Sequence, residues 1–148
     1  NAAALKEYAR ELAIDDRVIF TGFLTGSDKA DAFSAADMFC HVSYSETQGL
    51  TLMEAAAYGL PLLVSDDTAY AEVAVPEVNA VLVGPDETQY AAHMVTLAND
   101  KELREKLGAG SKQLSKTFSI AQRTEELVKL YEGVIRDKRV SIIEQPVK

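Results

Sequence analysis

Short apolar runs alternate with amphipathic helical runs along most of this 148-residue chain, and that order constrains the fold more than any other feature. Leu5, Tyr8, Ala9 and Leu12 recur at helical spacing, so the chain opens inside a helix. Arg17-Val18-Ile19-Phe20-Thr21 reads as a buried strand stopping at Gly22, and Ser27 or Asp28 is placed to cap a helix that ends near Ala36. A strand over 37–42 and a loop over 43–48 lead into a helix over 49–58, which Gly59 closes with Pro61 just beyond. Further strands are expected at 61–65 and 80–83, the last ended by Gly84-Pro85. Helices are expected at 86–98, 101–116 and 119–136, while 137–148 has no clear period and reads as a tail or an inter-domain crossing. Strand and helix in strict alternation predict an α/β fold: a doubly wound parallel sheet of about four strands with helices on both faces.

Composition narrows the class. With 8 glycines, 4 prolines and 47% hydrophobic residues, the chain is too apolar and too poor in breakers to be disordered. A domain over 1–136, truncated on its N-terminal side, is the expectation. The net charge of -8 argues against a nucleic-acid groove or an anionic membrane as the main partner. Cys40 stands alone, so no internal disulfide forms, which suits a reducing, cytoplasmic setting. No apolar run approaches the ~20 residues that span a bilayer.

Ligands of open parallel sheets sit beyond the carboxyl ends of the strands, which here means the loops at 22–26, 43–48 and 65–70. The second opens straight into a helix: Ser43-Tyr44-Ser45-Glu46-Thr47-Gln48-Gly49-Leu50-Thr51-Leu52-Met53-Glu54. Gly49 lets backbone approach a ligand, and the N–H groups near Gly49, Leu50 and Thr51 make an anion site at a helix N-terminus. Glu46 precedes that terminus and Glu54 lies inside it, so both carboxylates are placed to line one pocket around a phosphate. An acid near a helix start is equally a common stabilising device, and Glu54 is equally suited to a solvated face. His41 and His93 lack metal-ligand spacing, and Cys40 reads as a buried apolar residue. Asp66-Asp67 fits either a sugar-facing loop or a turn with a helix cap. Tyr8, Tyr58, Tyr90 and Tyr131 fall in helical stretches and read as packing residues.

The run Glu46-x7-Glu54 followed by Ala55-Ala56-Ala57-Tyr58-Gly59-Leu60-Pro61 resembles the signature of the retaining, GT-B-fold glycosyltransferases of family 4. The resemblance continues through Val18-Ile19-Phe20-Thr21-Gly22, Ala36-Asp37, Glu72-Val73, Asn79-Ala80-Val81-Leu82-Val83, Phe118-Ser119 and Leu130-Tyr131. The wording of 45–51 is most similar to bacterial glucosyltransferases acting on diacylglycerol. What this implies is a Rossmann-like, partial C-terminal half of a GT-B fold that binds a nucleotide-sugar donor, UDP-glucose, as substrate, with no cofactor and no metal.

By the same resemblance, Glu46 would bind donor-sugar hydroxyls, with Gln48, Gly49 and Leu50 beside it. The N–H groups of Gly49, Leu50 and Thr51 would hold the distal phosphate, Glu54 the ribose, and Phe23 and Leu24 would lie near the base. Carboxylates grip vicinal diols and N–H groups stabilise a leaving diphosphate, so each role suits its chemistry. No side chain is assigned as a catalytic nucleophile. Gln48, Val42 and Ala56 depart from the family's usual Phe, Pro and Met, which bears on donor preference at Gln48. The family's basic pair for the diphosphate lies upstream of this region, and no Lys or Arg occurs between Ala30 and Asp100. Lys29 is then the cation expected near the pocket, and the chain alone is expected to bind weakly and not to catalyse. Its implied partners are the nucleotide-sugar and an N-terminal acceptor domain of the same protein; the basic residues of 136–139, mixed with Asp137, read first as a solvated helix end and, for a lipid-modifying enzyme, as a peripheral membrane contact. An open sheet edge favours self-association. Two other readings stay open: a non-catalytic, glycosyltransferase-like assembly domain, and a nucleotide-sugar epimerase.

Overall fold

The structure is a computed structural model that describes residues 2–44 and 49–143. Its contacts divide the chain into two units, before and after Ala35.

The first unit contains α1 (Ala2–Glu11) and α2 (Gly26–Ala35). Helix α1 stops by a Schellman motif: the Ile14 N–H bonds the Ala9 carbonyl and the Ala13 N–H bonds that of Arg10, both at 2.9 Å. The motif needs a left-handed residue at Ala13, whose φ is +52°. Glycine normally fills that position, because a Cβ there meets the following carbonyl and costs about 1–2 kcal/mol. Ala13→Gly relieves the strain but loosens the unfolded chain. The expected net gain is about 0.5–1 kcal/mol, seen as roughly threefold slower hydrogen exchange of the α1 amides. Faster exchange in the variant would mean that α1 does not end this way.

The strand expected at 17–21 does not form. Arg17 closes a turn onto the Ile14 carbonyl, and Ile19 is 86% exposed. Apolar, β-branched residues favour a pleated surface only where a neighbouring strand takes up their N–H and C=O groups, and 17–21 has no such ladder among the described residues.

The second unit holds the sheet. Strands β1 (Phe39–His41), β2 (Leu62–Ser65) and β3 (Ala80–Val83) run parallel in that order, with Cys40 opposite Leu63 and Leu63 opposite Val81. Thus three strands are seen among the described residues where about four were expected. Side chains alternate across the sheet. Leu63 and Val83 pack with Leu97 and Leu107 and with the half-buried Cys40, Val81 and Tyr90, which is the face covered by α4 (Glu87–Asn99) and α5 (Lys101–Ser115). Leu62 and Val64, also fully buried, point to the opposite face. Right-handed crossovers stepping from β1 to β2 to β3 place α3 (Leu50–Ala57) and the 66–79 segment there. The last helix, α6 (Ile120–Ile143), continues past its expected end near 136.

Asp86 caps α4 by accepting from the N–H groups of Thr88 and Gln89, and Asp100 caps α5 through Leu103. Gly59, in the left-handed conformation, ends α3 with the same Schellman pattern that Ala13 makes under strain. Behind that cap α5 comes very close. A Cβ on Gly108 would overlap the Gly59 carbonyl oxygen, and one on Gly110 the Val78 carbonyl oxygen. Buried Ser111 donates to the Leu60 carbonyl at 2.6 Å. Fully buried Asn79 folds the 73–79 turn, accepting from the Val75 N–H and donating to the Val73 carbonyl, both at 2.8 Å. These contacts hold α3 from below while its N-terminus stays open.

Candidate functional site

Helix α3 begins just beyond the carboxyl end of β1, where a parallel sheet presents its ligand-binding loops. Its N-cap is Gly49, with φ +60° and ψ +41° and no side-chain cap. The first helical bonds run from the Leu52 and Met53 N–H groups to the Gly49 carbonyl, so those of Leu50 and Thr51 lie ahead of the intrahelical ladder. Leu52, Ala55 and Ala56 form the buried face. Leu50, Thr51 and the half-buried Glu54 share the outward half, Glu54 one turn after Leu50. The structure therefore brings together four of the expected site residues: Gly49, Leu50, Thr51 and Glu54. Glu46 and Gln48 lie outside the described residues. Phe23, 94% exposed, and the half-buried Leu24 belong to the first unit.

The flanks of the loop before α3 are held from the sheet and the 66–79 segment. The Ser43 carbonyl accepts from both the Ser65 hydroxyl and the Tyr70 hydroxyl, the latter at 3.1 Å. The Ser43 N–H in turn donates to Ser65 Oγ at 3.3 Å. Asp67 caps the short 3-10 turn Thr68–Tyr70 by accepting from the Ala69 N–H at 2.9 Å, which settles its role as a turn cap. His41 stacks on Phe39 and meets Tyr70 edge-on, with ring centres 6.0 and 5.9 Å apart.

Beside the α3 N-terminus lies a cavity of about 600 Å³ lined by Leu50, Met53, Thr68, Glu72, Phe118 and Arg123, among others. Arg123 lies 3.0 Å from Glu126 and 3.8 Å from Glu72, and its guanidinium sits over the Phe118 ring. Hydrogen bonds from Arg123 and then Gln122 hold the Glu126 carboxyl below the usual range. Sequence reading found no cation for this region except Lys29 and missed Arg123, which only the return of α6 brings to α3. Nothing in local spacing signals it.

A second, apolar cavity of about 390 Å³ lies beyond β1 and β3, with Val42, Tyr44, Pro85, Tyr90 and Met94 in its wall. The Tyr90 hydroxyl donates to the Leu63 carbonyl at 2.8 Å. Burial pushes the Tyr90 hydroxyl and the neighbouring Cys40 thiol above their ordinary ranges. Cys40 stays a neutral thiol at pH 7, as a packing residue should. Among the described residues no three potential metal ligands gather, and no helix is long and apolar enough to cross a membrane.

Parallel sheet, flanking helices and an open helix N-terminus after β1 define a Rossmann-like architecture. The family described as Glycosyl transferases group 1 matches residues 1–114, and the chain belongs to it. It is 30% identical over 142 residues (95% of this chain, 32% of the relative) to D-inositol 3-phosphate glycosyltransferase of Stackebrandtia nassauensis. Over a shorter stretch of 59 residues (40% of this chain, 13% of the relative) it is 51% identical to alpha-monoglucosyldiacylglycerol synthase of Streptococcus pneumoniae. In three dimensions it matches the HepE protein of Anabaena, solved in complex with UDP and glucose. That match has a TM-score of 0.78 at 22% identity and covers 89% of this chain and 36% of the other, so the fold is that of the GT-B glycosyltransferases. The chain spans about a third or less of each of these proteins.

Proposed function

We propose that this chain is the donor-binding part of a retaining hexosyltransferase that moves glucose from UDP-glucose to an acceptor hydroxyl, that of a lipid. The observation that carries the reading is the N-terminus of α3: left-handed Gly49 exposes the first-turn N–H groups, and Glu54 follows within about one turn on the outward side. An α-helix start concentrates partial positive charge and free donors, which suits the distal phosphate of a nucleoside diphosphate. The same groups stabilise the charge that develops on the diphosphate as the sugar leaves, which is where a transferase gains rate. Glu54 would accept from the ribose hydroxyls and Glu46 from those of the sugar. The lipid acceptor draws support from the relative named alpha-monoglucosyldiacylglycerol synthase, and UDP-glucose from the neighbour solved with UDP and glucose. Binding by the 148 residues alone is weak and transfer absent, because Arg123 is already paired with Glu126 and Glu72, no Lys or Arg occurs between Ala30 and Asp100, and the acceptor side lies in the remainder of such enzymes.

An NMR titration of the labelled chain with UDP-glucose, and with UDP as control, tests this. Shifts are expected at Gly49, Leu50, Thr51 and Glu54 at millimolar ligand. A charge-assisted hydrogen bond is worth about 1.5–3 kcal/mol, so each carboxylate removed weakens its ligand roughly 10–100-fold. Glu54→Ala is expected to weaken both ligands, and Glu46→Ala only UDP-glucose. A folded chain whose α3 amides never move, or a Glu46→Ala variant that loses UDP as well, would count against the assignment.

A further inference from the structure

Tyr70 is the largest fully buried side chain among the described residues, and it touches both described flanks of the loop that leads into α3. Its hydroxyl donates to the Ser43 carbonyl at 3.1 Å. A Cβ on Gly49 would press on its ring, 3.3 Å from Cδ1 and 3.5 Å from Cε1. The ring edge rests on His41 at the end of β1. Tyr70 itself is fixed by the Asp67-capped turn and by the Val73 and Ala74 N–H groups, which bond its carbonyl at 2.8 and 2.7 Å.

A hydroxyl spent on a loop carbonyl, with the ring pressed on the helix N-cap, is more than core filling needs. A phenylalanine would fill the same volume, and a buried hydroxyl is retained at a desolvation cost unless its bond matters. The two lone pairs of the Ser43 carbonyl are both taken, one by Ser65 from β2 and one by Tyr70 from the following crossover. The chain entering the loop is thereby tied to two elements at once, and the chain leaving it is set against the Tyr70 ring.

We infer that Tyr70 is a positioning residue of the donor site, which holds Ser43 and Gly49 at a fixed separation so that the first N–H groups of α3 face the donor. The inference rests on the donor-site reading above. Tyr70 touches no donor atom in this scheme; it acts through the backbone of Gly49 and Ser43.

Three variants of the chain separate this role from ordinary packing, read by amide hydrogen exchange and by titration with UDP and UDP-glucose. Tyr70→Phe keeps the ring and removes the bond to Ser43. Exchange at Ser43 is expected to quicken roughly 5–10-fold and UDP-glucose affinity to fall about 3–5-fold, while amides of β2 and α5 stay within about twofold. Tyr70→Leu also removes the ring from Gly49, and the amides of Gly49, Leu50 and Thr51 should then shift and UDP affinity fall as well. Ser65→Ala removes both bonds between Ser65 and Ser43, the one to the Ser43 carbonyl and the one from the Ser43 N–H, but leaves Gly49 untouched, so UDP affinity should hold. Exchange at Ser43 unchanged in Tyr70→Phe overturns the anchor, and faster exchange with unchanged affinity overturns its part in donor binding. Uniform acceleration across β2 and α5 assigns Tyr70 to packing alone. A parent chain that answers neither ligand removes the donor-site reading and this role with it. A parent that binds, beside a Phe variant that binds equally, removes only the role of Tyr70.

Discussion

Replacing Gly110 by alanine is expected to destabilise the chain by roughly 2–4 kcal/mol, although alanine is the better helix former by about 1 kcal/mol. The new methyl group would overlap the carbonyl oxygen of Val78 far inside contact distance, and that atom is backbone, which cannot rotate aside. Either α5 or the 73–79 turn must shift. The turn is pinned by the fully buried Asn79, whose side chain bonds the backbone of Val73 and Val75, and the strain spreads into β3. For a chain of this length the loss corresponds to a fall of roughly 5–15 °C in melting temperature. Gly133→Ala is the matched control, since nothing lies within 4 Å of its added Cβ, and it should stabilise α6 by about 0.5–1 kcal/mol. Melting curves of both variants decide the matter. Equal gains at Gly110 and Gly133 would show that α5 and the Val78 turn are not in contact. The consequence reaches the site, because the same helix presses Gly108 on the cap of α3 and donates from Ser111 to Leu60.

Much of this fold was legible because its signals are local. The apolar run at 80–83 is β3 to the residue, Gly59 does end α3, and the parallel class followed from strand–helix alternation. The run at 17–21 misled because its residue types state a preference for a sheet and say nothing about a neighbour to pair with. Position 13 was unreadable for a related reason: an alanine stands in a left-handed cap that glycine usually announces. At the candidate site, Gly49, Leu50, Thr51 and Glu54 were placed together from the sequence because one helix start carries all four. Tyr70 and Arg123 were not, since each reaches the region from a distant part of the chain. Tyr70 closes the 65–70 loop expected to face a ligand, but nothing in that loop shows which backbone its hydroxyl reaches. Such contacts are properties of topology, and a single sequence carries no local trace of them.

Gly49→Ala is expected to remove at least tenfold of the donor affinity while leaving the rest of the second unit folded. Two independent effects act on one atom. At φ +60° a Cβ meets its own carbonyl side, which costs about 1–2 kcal/mol. The same Cβ would stand 3.3 Å from Tyr70 Cδ1 and 3.7 Å from Leu52 Cδ1, and neither fully buried side chain has room to withdraw. The cheapest escape is for residue 49 to leave the left-handed region, which turns the N–H groups of Leu50 and Thr51 away from their shared direction. Since about 1.4 kcal/mol is a factor of ten in binding, the conformational part alone corresponds to roughly 5–30-fold, and the contact with Tyr70 and Leu52 adds to it. Gly49→Asn separates the two effects, because asparagine tolerates the left-handed region yet carries the same Cβ. It should fall between the parent and the alanine variant. Combining Gly49→Ala with Tyr70→Leu removes the contact but keeps the strain, so the loss of UDP affinity in the double variant should be smaller than the sum of the two single losses. A Gly49→Ala variant with parental affinity for UDP would show that the left-handed cap of α3 has no part in holding the donor.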